Sequence, residues 1–179
     1  MIQHAWHEAP HRFDSEQRTL DGVIEIPKGS KAKYEIDKPT GLLRLDRVVF
    51  AAFVYPINYG FIPQTLGDDG DPLDILILSQ VSIQPLCLVE CRIIGYMEMI
   101  DGGKRDEKII AVPLEDASVS HMKDIDELPL DLKMELQHFF TQYKALRNKT
   151  VTVDEFRTAA EAAQIVQESI ARYNTTYRK

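Results

Sequence analysis

Short hydrophobic runs separated by Gly, Pro and Asp make up most of the chain between residues 23 and 113. Runs of this kind, bounded by turn-forming residues, are typical of β-strands. They predict strands at residues 23–26, 33–36, 42–45, 50–55, 75–78, 88–96 and 109–112. Residues 55–60 and 99–103 are predicted to form turns. Many short strands with turns between them favour a closed or nearly closed barrel.

The hydrophobic spacing changes from strand-like to helix-like after Pro113. One helical pattern follows Pro129, with apolar side chains at Leu132, Leu136, Phe139, Phe140, Tyr143 and Leu146. A second helix is predicted from about Asp154, with Thr152 and Glu155 as its capping box. Its apolar stripe comprises Phe156, Ala159, Ala160, Ala163, Val166, Ile170 and Tyr173. The pattern predicts a mainly β, mostly antiparallel α+β fold, with two C-terminal helices packed outside a barrel.

Composition and charge are those of an ordinary globular protein with an acidic balance. The chain has 179 residues, of which 44% are hydrophobic and 27% charged, so we expect a single domain over residues 1–179. The net charge of −7 argues against a nucleic-acid partner, although local cations still permit an anionic substrate. Residues 1–10 do not resemble a secretory signal, and residues 48–57 are too few to span a membrane. We therefore expect a cytoplasmic protein.

The cysteines and the histidines near the start of the chain give no sign of a metal site. Cys87 and Cys91 are the only cysteines, and they are expected to be buried, reduced thiols. His4, His7 and His11 are spaced as if on one helical face, but Pro10 breaks that helix. We expect a solvated terminal segment there.

The densest group of acidic residues lies at residues 67–74, directly before the apolar run 75–78. Asp69, Asp71 and Asp74 are close enough in sequence to repel one another, which is unfavourable unless a cation lies among them. A divalent cation would offset this repulsion, because Mg²⁺ and Ca²⁺ prefer anionic oxygen ligands. On its own, however, the stretch is equally well interpreted as a solvated acidic turn.

Several polar side chains interrupt apolar runs in a way that a simple core would not require. Lys33 and Glu35 share one strand face, so if that face pointed inward both charges would need partners or a ligand. Each such residue also has a simpler interpretation, namely an outward strand face for a charge and core packing for a tyrosine. The other residues of this kind are Glu25, Arg47, Tyr55, Tyr59, Asp101, Asp106, Lys108, Tyr143 and Lys144.

Residues 69–74, Asp-Gly-Asp-Pro-Leu-Asp, resemble the signature D-G-D-P-x-D of family I soluble inorganic pyrophosphatases. The polar residues named above stand in that family's order and close to its spacing, from about Val23 to about Lys144. The length of the chain is similar to that of the prokaryotic members. One position departs from the family's pattern, since Gly102 follows Asp101 where well-known bacterial members carry Glu.

The resemblance implies an OB-like, strongly twisted, five-stranded barrel whose mouth contains the site. It also implies Mg²⁺-dependent hydrolysis of pyrophosphate to two phosphates, with Mn²⁺ as an alternative ion and a homohexamer as the assembly. Asp71 would be the general base. The metal ligands would be Asp69, Asp74, Asp106, Asp101, Glu25 and Glu35. The residues that bind phosphate or line the pocket would be Lys33, Arg47, Tyr55, Tyr59, Lys108, Tyr143 and Lys144.

This set of residues suits phosphoanhydride hydrolysis, because carboxylates can hold cations against the phosphate oxygens while Lys and Arg bind the remaining oxygens. The competing hypotheses are a hydrolase of polyphosphates or nucleotides, a Ca²⁺-binding module and an OB-type nucleic-acid binder. The spacing of an EF-hand is absent, since the sixth residue from Asp69 is Asp74 and the twelfth is Gln80. The acidic balance of the chain disfavours single-stranded nucleic acid.

Overall fold

The structure is a computed structural model that describes residues 4–50, 52–143 and 151–178. Its strands are β1 (Thr19–Ile26), β2 (Ala32–Ile36), β3 (Leu43–Val48), β4 (Asn58–Phe61), β5 (Asp74–Ile77), β6 (Leu88–Asp101), β7 (Lys104–Arg105), β8 (Lys108–Pro113) and β9 (Val151–Thr158). Its helices are α1 (Ala5–Glu8), α2 (Leu130–Gln142) and α3 (Ala159–Tyr177), with a short 3-10 helix at Ile125–Glu127. Within these residues no helix is long and apolar enough to cross a membrane.

Five strands form a closed ring in the order β1, β4, β5, β8 and β6, and β6 pairs again with β1. The pairing of β5 with β8 is parallel, whereas the other pairings in the ring are antiparallel. The far end of β6 extends beyond the ring and pairs with β7 and β9. Strands β2 and β3 form a separate hairpin. The predicted barrel and its mainly β, α+β class are therefore confirmed.

The hydrophobic core lies on both faces of the ring strands. In β5, Leu76 packs into one cluster with Phe139 and Phe140 of α2, while Ile75 packs into another with Ala162 of α3. This alternation follows from the two-residue period of a strand, and it explains why ring strands read as continuous apolar runs. The two C-terminal helices thus pack against the barrel, as predicted.

Gly60 allows β1 and β4 to approach closely. A Cβ atom at this position would lie 1.8 Å from the carbonyl oxygen of Val23. Because the obstructing atom belongs to the backbone, no change of side-chain rotamer could remove this clash. The register of β1 against β4 is also irregular between Ile24 and Ile26. A small barrel needs such local bends to close.

Two predicted boundaries near the start of the barrel are wrong. The described residues of 50–55 do not form a strand, and Asn58–Phe61 is strand β4 where a turn was expected. Asn58, a common turn residue, is instead buried, and its side chain bonds to the backbone of other segments. Its Oδ1 accepts from the amides of Lys28 and Ile83, and its Nδ2 donates to the carbonyl of Val81.

The start of the last helix was also predicted too early. Residues 151–158 form strand β9, and α3 begins at Ala159. Its capping box consists of Thr158 and Glu161, so the proposed pair Thr152 and Glu155 is wrong. The reason is tertiary, since the backbone of β9 pairs with the protruding end of β6. Leu146 and Lys144 lie outside the described residues.

The segment before β1 is not solvated as expected. Trp6 is 1% exposed, and its indole nitrogen donates to the carbonyl of Thr65 at 2.9 Å. His7 Nδ1 lies 2.7 Å from the hydroxyl of Tyr173 in α3. One large aromatic side chain thus fixes this terminal segment.

Of the two cysteines, Cys91 is buried as predicted, whereas Cys87 is exposed.

Candidate active site

A cleft of about 570 Å³ at one end of the barrel contains most of the residues that the sequence indicated. The predicted residues that line it are Glu25, Lys33, Glu35, Tyr59, Asp69, Asp71, Asp74, Asp101, Asp106, Lys108 and Tyr143. They come from β1, β2, β4, β5, β6, β8, the segment after α2 and the loops between strands. Residues far apart in sequence therefore meet at one edge of the ring.

The parallel pairing of β5 and β8 forms the centre of the cleft, because it places Asp74 directly opposite Lys108. Lys108 Nζ lies 2.6 Å from Asp74 Oδ2 and 2.9 Å from Asp106 Oδ1, and it donates to the hydroxyl of Tyr59 at 3.3 Å. Burial alone would lower the pKa of Lys108, but Asp74 and Asp106 raise it well above the usual value. The ammonium group therefore stays charged inside the cleft.

Glu25 is a buried carboxyl group beside other acidic residues of the cleft. Its side chain is buried, and Oε1 accepts a hydrogen bond from the amide of Ile36 at 2.6 Å. Burial, followed by repulsion from Asp74, raises the pKa of Glu25 to about 8. Burial likewise raises the pKa of Asp69. A bound cation would relieve this unfavourable burial of negative charge.

The acidic residues of the cleft fit a hard divalent cation in their chemistry. The donors are carboxylate oxygens, which suit Mg²⁺ or Mn²⁺ better than softer ions. Among the described residues, no three His, Cys, Asp or Glu side chains converge closely enough to surround an ion as they stand. Lys108 Nζ lies between two of these carboxylates, so ion binding would require local rearrangement of the side chains.

The segment that we call the acidic loop, residues 62–73, presents Asp69 and Asp71 to the cleft. The amide of Gly67 donates to the carbonyl of Asp71 at 2.7 Å, and the amide of Asp71 donates to Asp69 Oδ1 at 3.0 Å. Lys38, which the sequence did not single out, forms an ion pair with Asp71 and donates to the carbonyl of Gly70. Its sequence context, a charged residue beside a predicted strand, gave no signal of this contact.

The hairpin of β2 and β3 contributes a linked group of charges. Lys33 Nζ lies 2.8 Å from Glu35 Oε2 and 3.1 Å from Asp46 Oδ2, and Arg47 Nη1 donates to the same Asp46 oxygen at 2.8 Å. Asp46 therefore joins two cations that were predicted to bind phosphate, although the sequence did not identify it. Arg47 does not line the cleft itself; its guanidinium lies 5.9 Å from the ring centroid of Tyr143. Arg47 Nη2 is buried with no hydrogen-bond partner in the described part of the chain.

The two predicted pocket tyrosines have different surroundings. Tyr59 lines the cleft, whereas Tyr55 does not. The ring of Tyr55 is buried 5.6 Å from that of Tyr59 and 4.9 Å from that of Phe139, measured between centroids. Tyr55 therefore supports the wall of the cleft from behind. Lys144, the remaining predicted residue, lies outside the described residues.

Asp101 lies at the end of β6, where a tight turn leads into β7. The next residue, Gly102, has a φ of 57°, a conformation that glycine adopts without strain. A Cβ atom at this position would meet nothing within 4 Å. Glycine at this position therefore favours the tight turn through its backbone freedom and leaves open space beside Asp101.

Comparison with known proteins agrees with this geometry. The family described as inorganic pyrophosphatase matches residues 22–174. Soluble inorganic pyrophosphatase 2 of Chlamydomonas reinhardtii is 44% identical over 174 residues, which cover 97% of this chain and 90% of that protein. Soluble inorganic pyrophosphatase of Oryza sativa subsp. indica is 46% identical over 176 residues, or 95% of this chain and 79% of that protein.

Solved structures show the same arrangement of the chain. The crystal structure of inorganic pyrophosphatase from Thermus thermophilus superposes with a TM-score of 0.89 at 42% identity, covering 95% of this chain and 99% of that one. The enzyme from Helicobacter pylori superposes with a TM-score of 0.87 at 41% identity, covering 94% and 99%. These similarities cover between 94% and 97% of this chain. The chain belongs to the inorganic pyrophosphatase family.

Proposed function

We propose that this protein hydrolyses inorganic pyrophosphate to two phosphates in the cleft around Asp74 and Lys108. The observation that carries the proposal is the convergence of carboxylates and ammonium groups from distant segments in one cleft. Such a cleft suits a small, highly charged anion that needs its charge neutralised on both phosphate groups. The names of the relatives, which are soluble inorganic pyrophosphatases, support the same substrate.

The proposed cofactor is Mg²⁺, with Mn²⁺ as a substitute. Asp69, Asp74 and Asp106 would hold the ions nearest the reacting water, and Asp101 would help to hold a further ion. Glu25 and Glu35 would contribute through water or by supporting these ligands. When bound, the cations would lower the pKa of water and neutralise charge on the phosphate oxygens. The donor set is the support for this choice, because hard cations prefer carboxylate oxygen.

Asp71 is the proposed general base. Its side chain is 53% exposed, so it can reach both solvent and substrate at the mouth of the cleft. Lys38 forms an ion pair with this carboxylate. In the proposed reaction, Asp71 accepts a proton from the water that attacks one phosphorus atom, and the other phosphate leaves. No covalent intermediate with the protein is needed.

The substrate oxygens would be bound by Lys33, Arg47, Lys108 and Tyr143, with Lys144 as a further ligand. Tyr59 would complete the wall, supported by Tyr55. Lys33 and Arg47 both contact Asp46, which limits the orientations that their charged groups can adopt. Charged donors arranged in this way bind phosphate oxygens strongly and hold the attack in line.

The assembly and the location of the protein are proposed on narrower grounds. A homo-oligomer, which the family resemblance suggests is a hexamer, would cover the apolar side chains of Leu42, Val48 and Phe50, which are 66%, 63% and 74% exposed. A cytoplasmic location suits the exposed free thiol of Cys87. We also propose that residues 1–179 act as one domain.

Phosphate release assays test the proposed reaction. We expect rapid release from pyrophosphate with Mg²⁺, little release without a divalent cation, and slow release from ATP or tripolyphosphate. Faster hydrolysis of ATP or tripolyphosphate than of pyrophosphate would favour a general phosphoanhydride hydrolase and contradict the proposal. Full activity after chelation of divalent cations would contradict the proposed cofactor.

A further inference from the structure

The outer side of the acidic loop is bonded to two segments that do not enter the cleft. Three consecutive residues of the loop form these hydrogen bonds. Gln64 and Thr65 bond to the segment that contains α1, and Leu66 bonds to helix α3. None of these partners lines the cleft. These contacts therefore act on the backbone of the loop and not on the substrate.

Helix α3 satisfies both backbone groups of Leu66. Ser169 Oγ accepts from the amide of Leu66 at 3.0 Å and donates to its carbonyl at 2.9 Å, and the main-chain carbonyl of Ser169 also accepts from that amide, at 3.1 Å. Arg172 Nε donates to the same carbonyl at 2.9 Å. Ser169 is fully buried, so water does not compete for these bonds.

Arg172 also affects the direction of one loop carboxylate. Its Nη1 lies 3.6 Å from Asp68 Oδ1. Asp68 does not line the main cleft, whereas its neighbour Asp69 does. Because adjacent carboxylates repel one another, the cation at Arg172 favours the arrangement in which Asp68 faces α3 and Asp69 faces the cleft.

The segment that contains α1 fixes the residues just before Leu66. Trp6 Nε1 donates to the carbonyl of Thr65 at 2.9 Å, and the amide of Gln64 donates to the carbonyl of Trp6 at 2.8 Å. Trp6 in turn lies against Tyr173 of α3, with 6.2 Å between ring centroids. Both supports of the loop are thus in contact with each other.

Hydrogen bonds within the loop connect this supported part to the acidic residues. Thr65 Oγ1 accepts a hydrogen bond of 2.9 Å from the amide of Leu73, the residue directly before Asp74. The amide of Gly67, next to Leu66, donates to the carbonyl of Asp71 at 2.7 Å. A displacement of Leu66 would therefore also displace Asp69 and Asp71, because only a few hydrogen-bonded residues separate them.

We propose that Ser169 and Arg172 are positioning residues, which hold the acidic loop so that Asp69 and Asp71 face the cleft. This inference rests on the proposed roles of those two carboxylates in binding cations and water. Groups that orient metal ligands commonly affect metal affinity as well as rate, even when they lie outside the ligand shell.

The test compares Ser169→Ala and Arg172→Gln with Thr158→Ala. The control removes the N-cap side chain of the same helix, which destabilises the helix but makes no contact with the loop. Calorimetry of Mg²⁺ or Mn²⁺ binding is done without substrate, and amide exchange is followed at residues 66–71. We expect both loop variants to raise the Kd for the cation about 10-fold and to speed exchange at Gly67 and Asp71. Thr158→Ala should keep the wild-type Kd.

Arg172→Lys provides a further check, because it keeps the charge beside Asp68 while changing the donor to Leu66. It should recover part of the lost affinity. Unchanged Kd values in either loop variant, or an equal rise in Thr158→Ala, would overturn the inference. Asp74→Ala separates this result from the proposed function. If Asp74→Ala also leaves the Kd unchanged, the metal site itself is misplaced; if only Asp74→Ala weakens binding, the positioning role alone is wrong.

Discussion

Lys108 and Asp74 lie opposite each other at the first residues of two parallel strands, with 2.6 Å between Nζ and Oδ2. The lysine side chain is 1% exposed, yet it remains charged because Asp74 and Asp106 both contact it. A buried ammonium at this position partly neutralises carboxylates that would otherwise repel each other. The same pair thus links the pairing of two barrel strands to the balance of charge in the cleft.

Replacing Lys108 by Gln is expected to destabilise the fold strongly. Removal of one partner leaves buried carboxylates without a counter-charge, and such changes typically cost about 3–5 kcal/mol. Urea unfolding without divalent cations measures the free energy of unfolding. As a control, Arg105→Gln breaks an exposed 3.9 Å contact with Glu107 and should cost under about 1 kcal/mol. Equal stability of the two variants would contradict the assigned role of Lys108.

Asp71→Asn should slow hydrolysis by about 10²- to 10⁴-fold, because the amide cannot accept the proton from water. The fold and the affinity for Mg²⁺ should change little, since the side chain is half exposed and keeps its shape. Steady-state rates and calorimetric Mg²⁺ titrations measure the two effects separately. Asp37→Asn serves as the control, because Asp37 lines the same cleft but is bonded to Thr40 and Arg44. Wild-type turnover in Asp71→Asn would exclude Asp71 as the base.

Arg47→Gln and Lys33→Gln should chiefly raise the KM for pyrophosphate. Loss of one charge-assisted hydrogen bond, worth about 1.5 kcal/mol, corresponds to a rise of about 10-fold in KM. The effect on kcat should be smaller. The comparison is Arg157→Gln, because the guanidinium of Arg157 is paired with Glu98 and does not line the cleft. A normal KM in both test variants would refute the proposed binding of phosphate by this hairpin.

Gly60→Ala is expected to destabilise the barrel without any direct change in the cleft. The added Cβ would lie 1.8 Å from the carbonyl oxygen of Val23, so β1 and β4 would have to separate, at a cost of about 3 kcal/mol or more. Gly29→Ala is the control, because its φ of 84° is unfavourable for alanine although nothing lies within 4 Å of the new atom. Its cost should be about 1 kcal/mol. Thermal unfolding compares the stability of the two variants. Equal unfolding midpoints would contradict the expected larger loss in Gly60→Ala.

The sequence predicted four of the five ring strands and the order of the candidate residues, because both leave local signals. Continuous apolar runs mark strands that are buried on both faces, such as β5 and β8. Strand β4 was missed because Asn58 and Gly60 are turn residues elsewhere, and only the close approach of β1 explains them here. Strand β9 was missed because its pairing partner lies about 50 residues earlier, beyond the reach of any local pattern.

The supporting residues of the cleft could not be found in the same way. Asp46 lies between Arg44 and Arg47 on an exposed strand, and only the tertiary register shows that it joins Lys33 to Arg47. Lys38 has no local feature that distinguishes it from other charged turn residues. Polar side chains whose role depends on a contact between distant segments require the folded structure to be identified.

The closed ring of strands has a consequence for how activity arises during folding. The ring forms only when β1 pairs with β6 and β5 pairs with β8, and these contacts join segments that are far apart in the chain. Such non-local topologies fold slowly, because the entropy of closing long loops must be overcome before the contacts stabilise them. A chain that has collapsed without closing the ring would leave Asp74 and Lys108 apart. Enzymatic turnover should therefore return late in refolding, together with the last native contacts.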